Sequence, residues 1–336
     1  MKLLTVTVPC YNSEAYMENC IESLLAGGER VEIIIIDDGS KDRTGAIADA
    51  YAAKYPDIVK VVHQENGGHG EGINQGLLHA TGRYFKVVDS DDTLSADFPK
   101  FLDKLEQCDR QGGVDLMVTN YYYVHSDGVG DRSINYSSVL PSDRAFGWDD
   151  TKPFQPHQML TIHSCTFRTA AMRRWGCQLP KHTFYEDNLM VYLTLPYIER
   201  MYYMNVDLYR YFIGRPDQSV QQNVMMKRCH HQILVTELCF KSHHLDDISS
   251  PMLLRCMKHE LFMMFGISIL FTRLNKTDEA DAALDAMWEN CRRFDKKWAD
   301  HFRYRSMLRF ICMPGKFGRN FSEFIYHCAN KIVRFN

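Results

Sequence analysis

The sequence predicts an α/β protein: a mostly parallel central sheet with helices on both faces, followed by a helical C-terminal region. Three observations carry this. Over about the first 120 residues, short β-rich runs alternate with amphipathic stretches at the spacing of strand–helix–strand units. Within them VEIIII, Val31 to Ile36, is apolar, β-branched and too short for a useful helix, as expected of a strand buried on both faces. Beyond Gln222 the apolar pattern turns helical and stays so.

Taken in order, residues 3–9 read as a strand, and Ser13 is placed to cap a helix that runs through residue 25. Strands follow at 31–36, 58–63, 84–88 and 115–123, separated by helices at 44–55, 73–81 and 99–110. Residues 124–148 are polar and turn-rich, an insertion or mobile loop. A strand at 162–168, short helices at 169–175 and 187–195, and an aromatic strand at 208–212 come next. The last helices are expected at 224–244, 251–273 and 278–293. This divides the chain into an α/β domain of residues 1–221, with halves 1–123 and 124–221, and a helical domain of 222–336.

Composition narrows the function classes. The 336 residues are 45% hydrophobic and 24% charged, as in ordinary globular proteins, and the net charge of -3 argues against wholesale nucleic-acid binding. Eleven cysteines, an odd number without a CxxC pair, read as reduced and mostly buried thiols rather than a disulfide framework or zinc site. Nothing resembling a signal peptide precedes the first strand, and the longest apolar run, LFMMFGISIL, is half of the roughly 20 residues a membrane span needs. The expected location is the cytoplasm. From Arg292 onward eleven Lys/Arg face three Asp/Glu, so the tail carries +8 and the remainder -11.

In a parallel sheet, ligands bind at the carboxyl ends of the strands. Three of those ends are polar here: Pro9-Cys10-Tyr11-Asn12, Asp37-Asp38-Gly39-Ser40 and Asp89-Ser90-Asp91-Asp92. The first lacks the GxGxxG of dinucleotide sites, which counts against a nicotinamide or flavin enzyme. Its Tyr11 either stacks on a base or is buried. The second can accept hydrogen bonds from a base or ribose, or can simply form an Asx-type turn. The glycine run Gly67-Gly68-His69-Gly70-Glu71-Gly72 either lets backbone approach an anion at a helix start or is a flexible connector. At the third end, Asp89 and Asp91 at i and i+2 of an extended segment can share a divalent cation. Capping of the next helix by Asp91 or Asp92 is the simpler alternative.

Together, Pro9-Cys10-Tyr11-Asn12, Ile36 to Ser40, Asn66 with the glycine run and Asn74, and Asp89 to Asp92 resemble, in order and spacing, the family 2 glycosyltransferases of GT-A fold, a Rossmann-like α/β architecture. The later IHSCTFR, FYEDNLMVY and LYRYFIGRPDQSV resemble the acceptor half of bacterial polysaccharide members, extending the likeness to about residue 222.

The resemblance implies an inverting, metal-dependent transfer of one sugar from a nucleotide sugar, a UDP-hexose, to an acceptor hydroxyl in surface polysaccharide or glycoconjugate synthesis. Asp38 or Asp37 would hold the uracil or ribose beside Pro9, Tyr11 and Asn12, with Asn66, Gly67, Gly68, His69, Asn74 and Ser90 completing the donor site. Asp91 with Asp89 would bind Mn²⁺ or Mg²⁺. Asp187 would be the base that deprotonates the acceptor, with Glu186 the understudy; a helix N-cap is the plainer role for Asp187. His163, Arg168, Arg215, Gln218 and Ser219 could reach the acceptor or diphosphate.

Processive polymerases of the family carry a QxxRW element and membrane spans, whereas here Ala171 stands where the Gln would precede Arg174-Trp175. The acceptor would be a glycan, lipid-linked or protein-linked. The basic tail, with aromatic residues interleaved, suits either an anionic membrane surface or a solvated helix face. A homodimer is left open. Two other readings are a nucleotidyltransferase and a catalytically silent nucleotide-binding module.

Overall fold

The structure is a computed structural model that describes residues 2–125, 128, 130–156, 158–176, 178–214 and 222–333, with side chains described as far as residue 328 in the last segment. The chain forms two compact units, Met1–Lys152 with Leu160–Gly214, and Pro153–Met159 with Arg215–Asn336.

The first unit is built on one mixed sheet. Strands β1 (Leu4–Cys10) and β2 (Val31–Asp37) are buried at every residue, as the uninterrupted apolar run requires. Helix α1 (Met17–Leu25) joins them, and α2 (Thr44–Lys54) leads to β3 (Val59–His63). Helix α3 (His69–His79) precedes β4 (Tyr84–Val87), and the two-residue β5 (Thr93–Leu94) precedes α4 (Phe98–Arg110). Then come β6 (Leu116–His125), β7 (Arg132–Ile134), β8 (Ala145–Phe146), β9 (Cys165–Arg168), α5 (Thr169–Arg174), α6 (Glu186–Thr194) and β10 (Met201–Ile213).

The strand order is β3-β2-β1-β4-β9-β6-β10-β5, with β7 on β6 and β8 on β10. Strands β1 to β4 and the β6–β10 pair are parallel ladders, whereas β9 runs antiparallel to both of its neighbours. Register aligns the functional ends: Cys10 lies opposite Asp37, and Asp37 opposite His63. The chain therefore leaves β1, β2, β3 and β4 along one edge of the sheet.

Three local expectations change. Helix α3 starts at His69, so four of the six residues of the glycine run are helix rather than loop. Within the expected loop at 124–148, Val124 and His125 extend β6, while Arg132–Ile134 and Ala145–Phe146 pair with β6 and β10 as β7 and β8. Ser13 does not cap α1 with its side chain: its carbonyl accepts from Met17 N at 3.0 Å, while its hydroxyl meets that of Ser90 at 2.9 Å.

The second unit is helical: α7 (Gln222–Lys227), α8 (Cys229–Ser242), α9 (Pro251–Arg273), α10 (Asp278–Phe294), α11 (Lys296–Asp300) and α12 (Gly315–Val333). The expected helix at 224–244 is therefore two, α7 and α8. Phe240, Phe265, Trp288 and Phe302 form its aromatic centre, with Phe265 and Trp288 stacked at 4.6 Å. All ten described cysteines are free thiols, and seven of them are buried.

Candidate active site

The site is built at the carboxyl edge of the parallel strands. Asp38, 3% exposed, directs both carboxylate oxygens at the glycine run: Gly67 N at 2.7 Å, Gly68 N at 2.8 Å and Gln64 Nε2 at 2.6 Å. Asn66 adds a bond to the Asp38 carbonyl at 2.9 Å. Asp37 makes the expected Asx-type turn through Ser40 N at 3.1 Å and accepts from His63 Nδ1 at 2.9 Å. Burial acts to raise the Asp37 pKa, but Ser40 and His63 outweigh it and hold the carboxyl below its usual range. Asp37 and Asp38 thus organise the turn and the glycine run. At the end of β1, Tyr11 is half exposed and not a core residue, while Asn12, at φ 50°, accepts from Lys41 N at 2.8 Å.

The glycine run has a cause that its sequence does not reveal. What approaches it closely is the chain's own segment 179–186. Gly67 O accepts from His182 N at 2.7 Å, and Gly68 sits at φ 84° with its missing Cβ 3.0 Å from His182 N. A Cβ on Gly70 would lie 2.8 Å from Glu186 Cγ and 3.1 Å from Pro180 O. Asn74 clips the same segment from both sides, donating to Leu179 O and accepting from Leu179 N, each at 3.0 Å. Gly70→Ala is expected to displace Glu186 and its neighbour, lowering turnover far more than the about 1–3 kcal/mol of stability lost to overpacking. Steady-state kinetics beside a urea melt measures the two; a melt that falls while turnover holds would reject this role for Gly70.

The acidic arm follows β4. Asp89 is held between two imidazoles, His69 Nε2 at 2.9 Å and His163 Nε2 at 3.7 Å. Burial works to raise the Asp89 pKa, yet His69 and His163 hold it far below the ordinary carboxylate value. His69 reaches across with Nδ1 to Glu186 Oε1 at 2.7 Å, so one ring links the acidic arm to the start of α6. Burial disfavours the His69 cation, but Asp89 and Glu186 together hold its pKa well above 6.5.

Asp92 does not cap a helix. It is 1% exposed and accepts from Tyr209 OH at 2.6 Å and Phe212 N at 2.8 Å, fixing β10 against the arm. Burial, with Asp91 and Asp89 nearby, pushes its pKa up. Asp91 is half-buried in the same turn. Among the described residues, ligand atoms of Asp89, Asp92 and His163 lie within 4.8 Å of one another. Asp91, expected to share a cation with Asp89, is not part of this cluster, and both Asp92 oxygens already accept bonds from β10, so Asp89 and His163 are the cluster's available donors for a divalent cation.

Helix α6 presents the remaining pair. Tyr185, left-handed at φ 70°, is its N-cap residue, which puts Asp187 in the first turn and removes the capping role from it. Glu186 is 2% exposed and engaged by His69, which leaves Asp187 as the half-buried carboxylate of the two. Burial and then the Glu186 charge push the Asp187 carboxyl up to about 6. Such a group is deprotonated at neutral pH and still a competent proton acceptor.

His163 precedes β9 and so stands at the same edge, stacked on Tyr211 at 4.6 Å and near Tyr209 at 4.8 Å. Arg168 does not belong to the site. Because β9 is antiparallel, its last residue pairs with Tyr84 at the start of β4, where Arg168 donates to Val114 O at 3.2 Å. Arg215, Gln218 and Ser219 lie outside the described residues. Two contributors escaped the sequence reading, Tyr209 and Tyr211; the alternation YRY in β10, which puts both on one face, was the available signal.

A family model described as glycosyl transferase family 2 matches residues 5–174. Glycosyltransferase GlyG of Streptococcus pneumoniae serotype 4 is 38% identical over 130 residues, 38% of this chain and 42% of that protein, so the chain spans less than half the length of that curated relative. The crystal structure of S. aureus TarS 1-349 in complex with UDP-GlcNAc has the same fold, with a TM-score of 0.69 at 19% identity over 99% of this chain and 92% of that one. The mannosyltransferase PcManGT from Pyrobaculum calidifontis, in complex with GDP-Man and Mn²⁺, matches at a TM-score of 0.54 and 16% identity over 90% and 84% of the two chains.

Proposed function

Because this chain belongs to glycosyl transferase family 2, we propose that it moves one sugar, with inversion, from a nucleotide sugar to an acceptor hydroxyl. The donor is a UDP-hexose and the acceptor a lipid-linked, protein-linked or free glycan of a surface polysaccharide or glycoconjugate, met at the inner face of a membrane. One observation carries the reading. At the ligand-binding edge of an α/β sheet, His69 ties Asp89 of the acidic arm to Glu186, the chain neighbour of Asp187, whose carboxyl is raised to about 6.

Asp187 takes the proton of the acceptor hydroxyl. The acceptor oxygen then bonds to the anomeric carbon as the bond from that carbon to the diphosphate oxygen breaks, and the nucleoside diphosphate leaves. Glu186 and His69 hold Asp187 and Asp89 in register, so that proton removal and departure occur at one place. Tyr11 covers the base, a role supported by its being half exposed at the end of β1. Asp89 and Asp91 would hold a divalent cation, with His163 adjacent, and such an ion would supply Lewis-acid neutralisation of the leaving diphosphate.

A thermal-shift screen of nucleotide sugars, with and without Mn²⁺ or Mg²⁺, tests the reading. The expected result is a rise in Tm with a UDP-sugar that depends on the cation, as mass action requires when a ligand binds only the folded state. Cation-dependent binding without turnover to any acceptor or to water would leave a silent binding module.

A further inference from the structure

The helical unit exposes an apolar ridge on and beside α12. Helix α12 is anchored by one face: Tyr326, 3% exposed, packs edge-on against Phe271 at 5.5 Å, and the Ser322 hydroxyl donates to Ile311 O at 3.1 Å. A second stripe, Phe317, Phe321 and Phe324 at helical spacing, lies beside that face, with successive ring centroids 6.4 Å apart. Phe317 is 70% exposed and Phe324 60%. The preceding turn, tied to α12 by the Ser322 bond, exposes Met307 (67%) and Phe310 (38%).

Charge identifies the occupant. Most basic residues of this region are already neutralised: Arg292 and Lys296 on Asp300, Arg293 on Glu289, Lys297 on Asp246, Arg303 on Asp285, and Arg319 on Asp278 and Asp281. Arg305, Arg309 and Lys316 are exposed and have no ion pair among the described residues. They lie in or beside the same turn and helix start as the exposed apolar residues, and the Arg309 guanidinium rests over the Phe310 ring at 4.7 Å. No helix among the described residues is long and apolar enough to cross a membrane.

We propose that this ridge docks the helical unit onto an anionic lipid bilayer, with the phenylalanines and Met307 entering the acyl boundary and Arg305, Arg309 and Lys316 meeting phosphate headgroups. The inference deepens the proposed function, since it names the surface on which a lipid-linked acceptor would be met.

The test is flotation of the full chain with vesicles of phosphatidylcholine, alone or mixed with phosphatidylglycerol. Binding to the anionic mixture is expected, weaker by about tenfold or more without the anionic lipid. Phe317→Glu with Phe324→Glu should abolish flotation while the circular dichroism spectrum and the cation-dependent donor shift are unchanged. Should that pair fail to fold, Arg309→Glu with Lys316→Glu should lose the preference for anionic vesicles. Absence of wild-type flotation, equal flotation by the variants, or a dimer that the phenylalanine substitutions dissociate would each overturn the proposal. The donor shift reports on the proposed function separately.

Discussion

Asp187→Asn is expected to lower transfer by about 10²–10⁴-fold, the usual worth of a positioned general base, while leaving donor affinity unchanged. The amide is isosteric and keeps the bond that Asp187 Oδ1 accepts from Asn188 Nδ2 at 3.0 Å, so the start of α6 should not move. The pH profile gives a second, independent readout. With its carboxyl pushed up to about 6, Asp187 is protonated and unable to accept a proton below that value, and ionised above it. Wild-type transfer at saturating donor should therefore fall about tenfold per pH unit below 6 and level off above it. The Asn variant should lose that limb. Near-normal transfer by Asp187→Asn, or an unchanged acid limb, would return the residue to a purely structural role.

The acidic arm should separate into two parts. Asp91→Ala is expected to remove the cation dependence of UDP binding, with affinity in Mn²⁺ falling tenfold or more, about 1.4 kcal/mol, and with little loss of stability. Asp89→Ala should remove the same binding and also destabilise the fold. Asp89 compensates the half-buried His69, whose other nitrogen holds Glu186, and taking away one partner of such a linkage leaves an uncompensated charge. A loss of about 3–5 kcal/mol is typical when a buried pair is broken; Asp89 and His69 keep some exposure, so the lower end is expected. Calorimetric UDP titrations with and without Mn²⁺, beside urea melts, distinguish the two variants. Equal stability loss from both, or undiminished UDP affinity in Asp91→Ala, would overturn this division of labour.

Much of the fold was legible because its signals are local. VEIIII specifies a buried strand wherever it is placed, and Asp37-Gly39-Ser40 forms its turn from residues three apart. The acidic arm was legible the same way, as carboxylates at a strand end, and Glu186-Asp187 through the family resemblance. The roles were not. Gly67 to Gly72 reads equally as an anion cradle or a connector, and only the contact with residues 179–186 shows why bulk is excluded there. Arg168 looked close to His163 in sequence, yet one antiparallel strand carries it to the opposite edge of the sheet. Asp92 reads as a cap because a helix follows, but its partners, Tyr209 and Phe212, lie 117 and 120 residues away.

The sequence by itself determined the α/β frame and the edge at which its polar turns and their carboxylates gather. Periodicity and turn chemistry act over a few residues and survive without tertiary context. The tertiary structure decided how those carboxylates differ: Glu186 is engaged and Asp187 left available, Asp89 is clamped by imidazoles, and Asp92 is enlisted to hold β10. Those differences come from burial and from partners up to 120 residues away, and a carboxylate's proton affinity follows its surroundings rather than its neighbours in the chain.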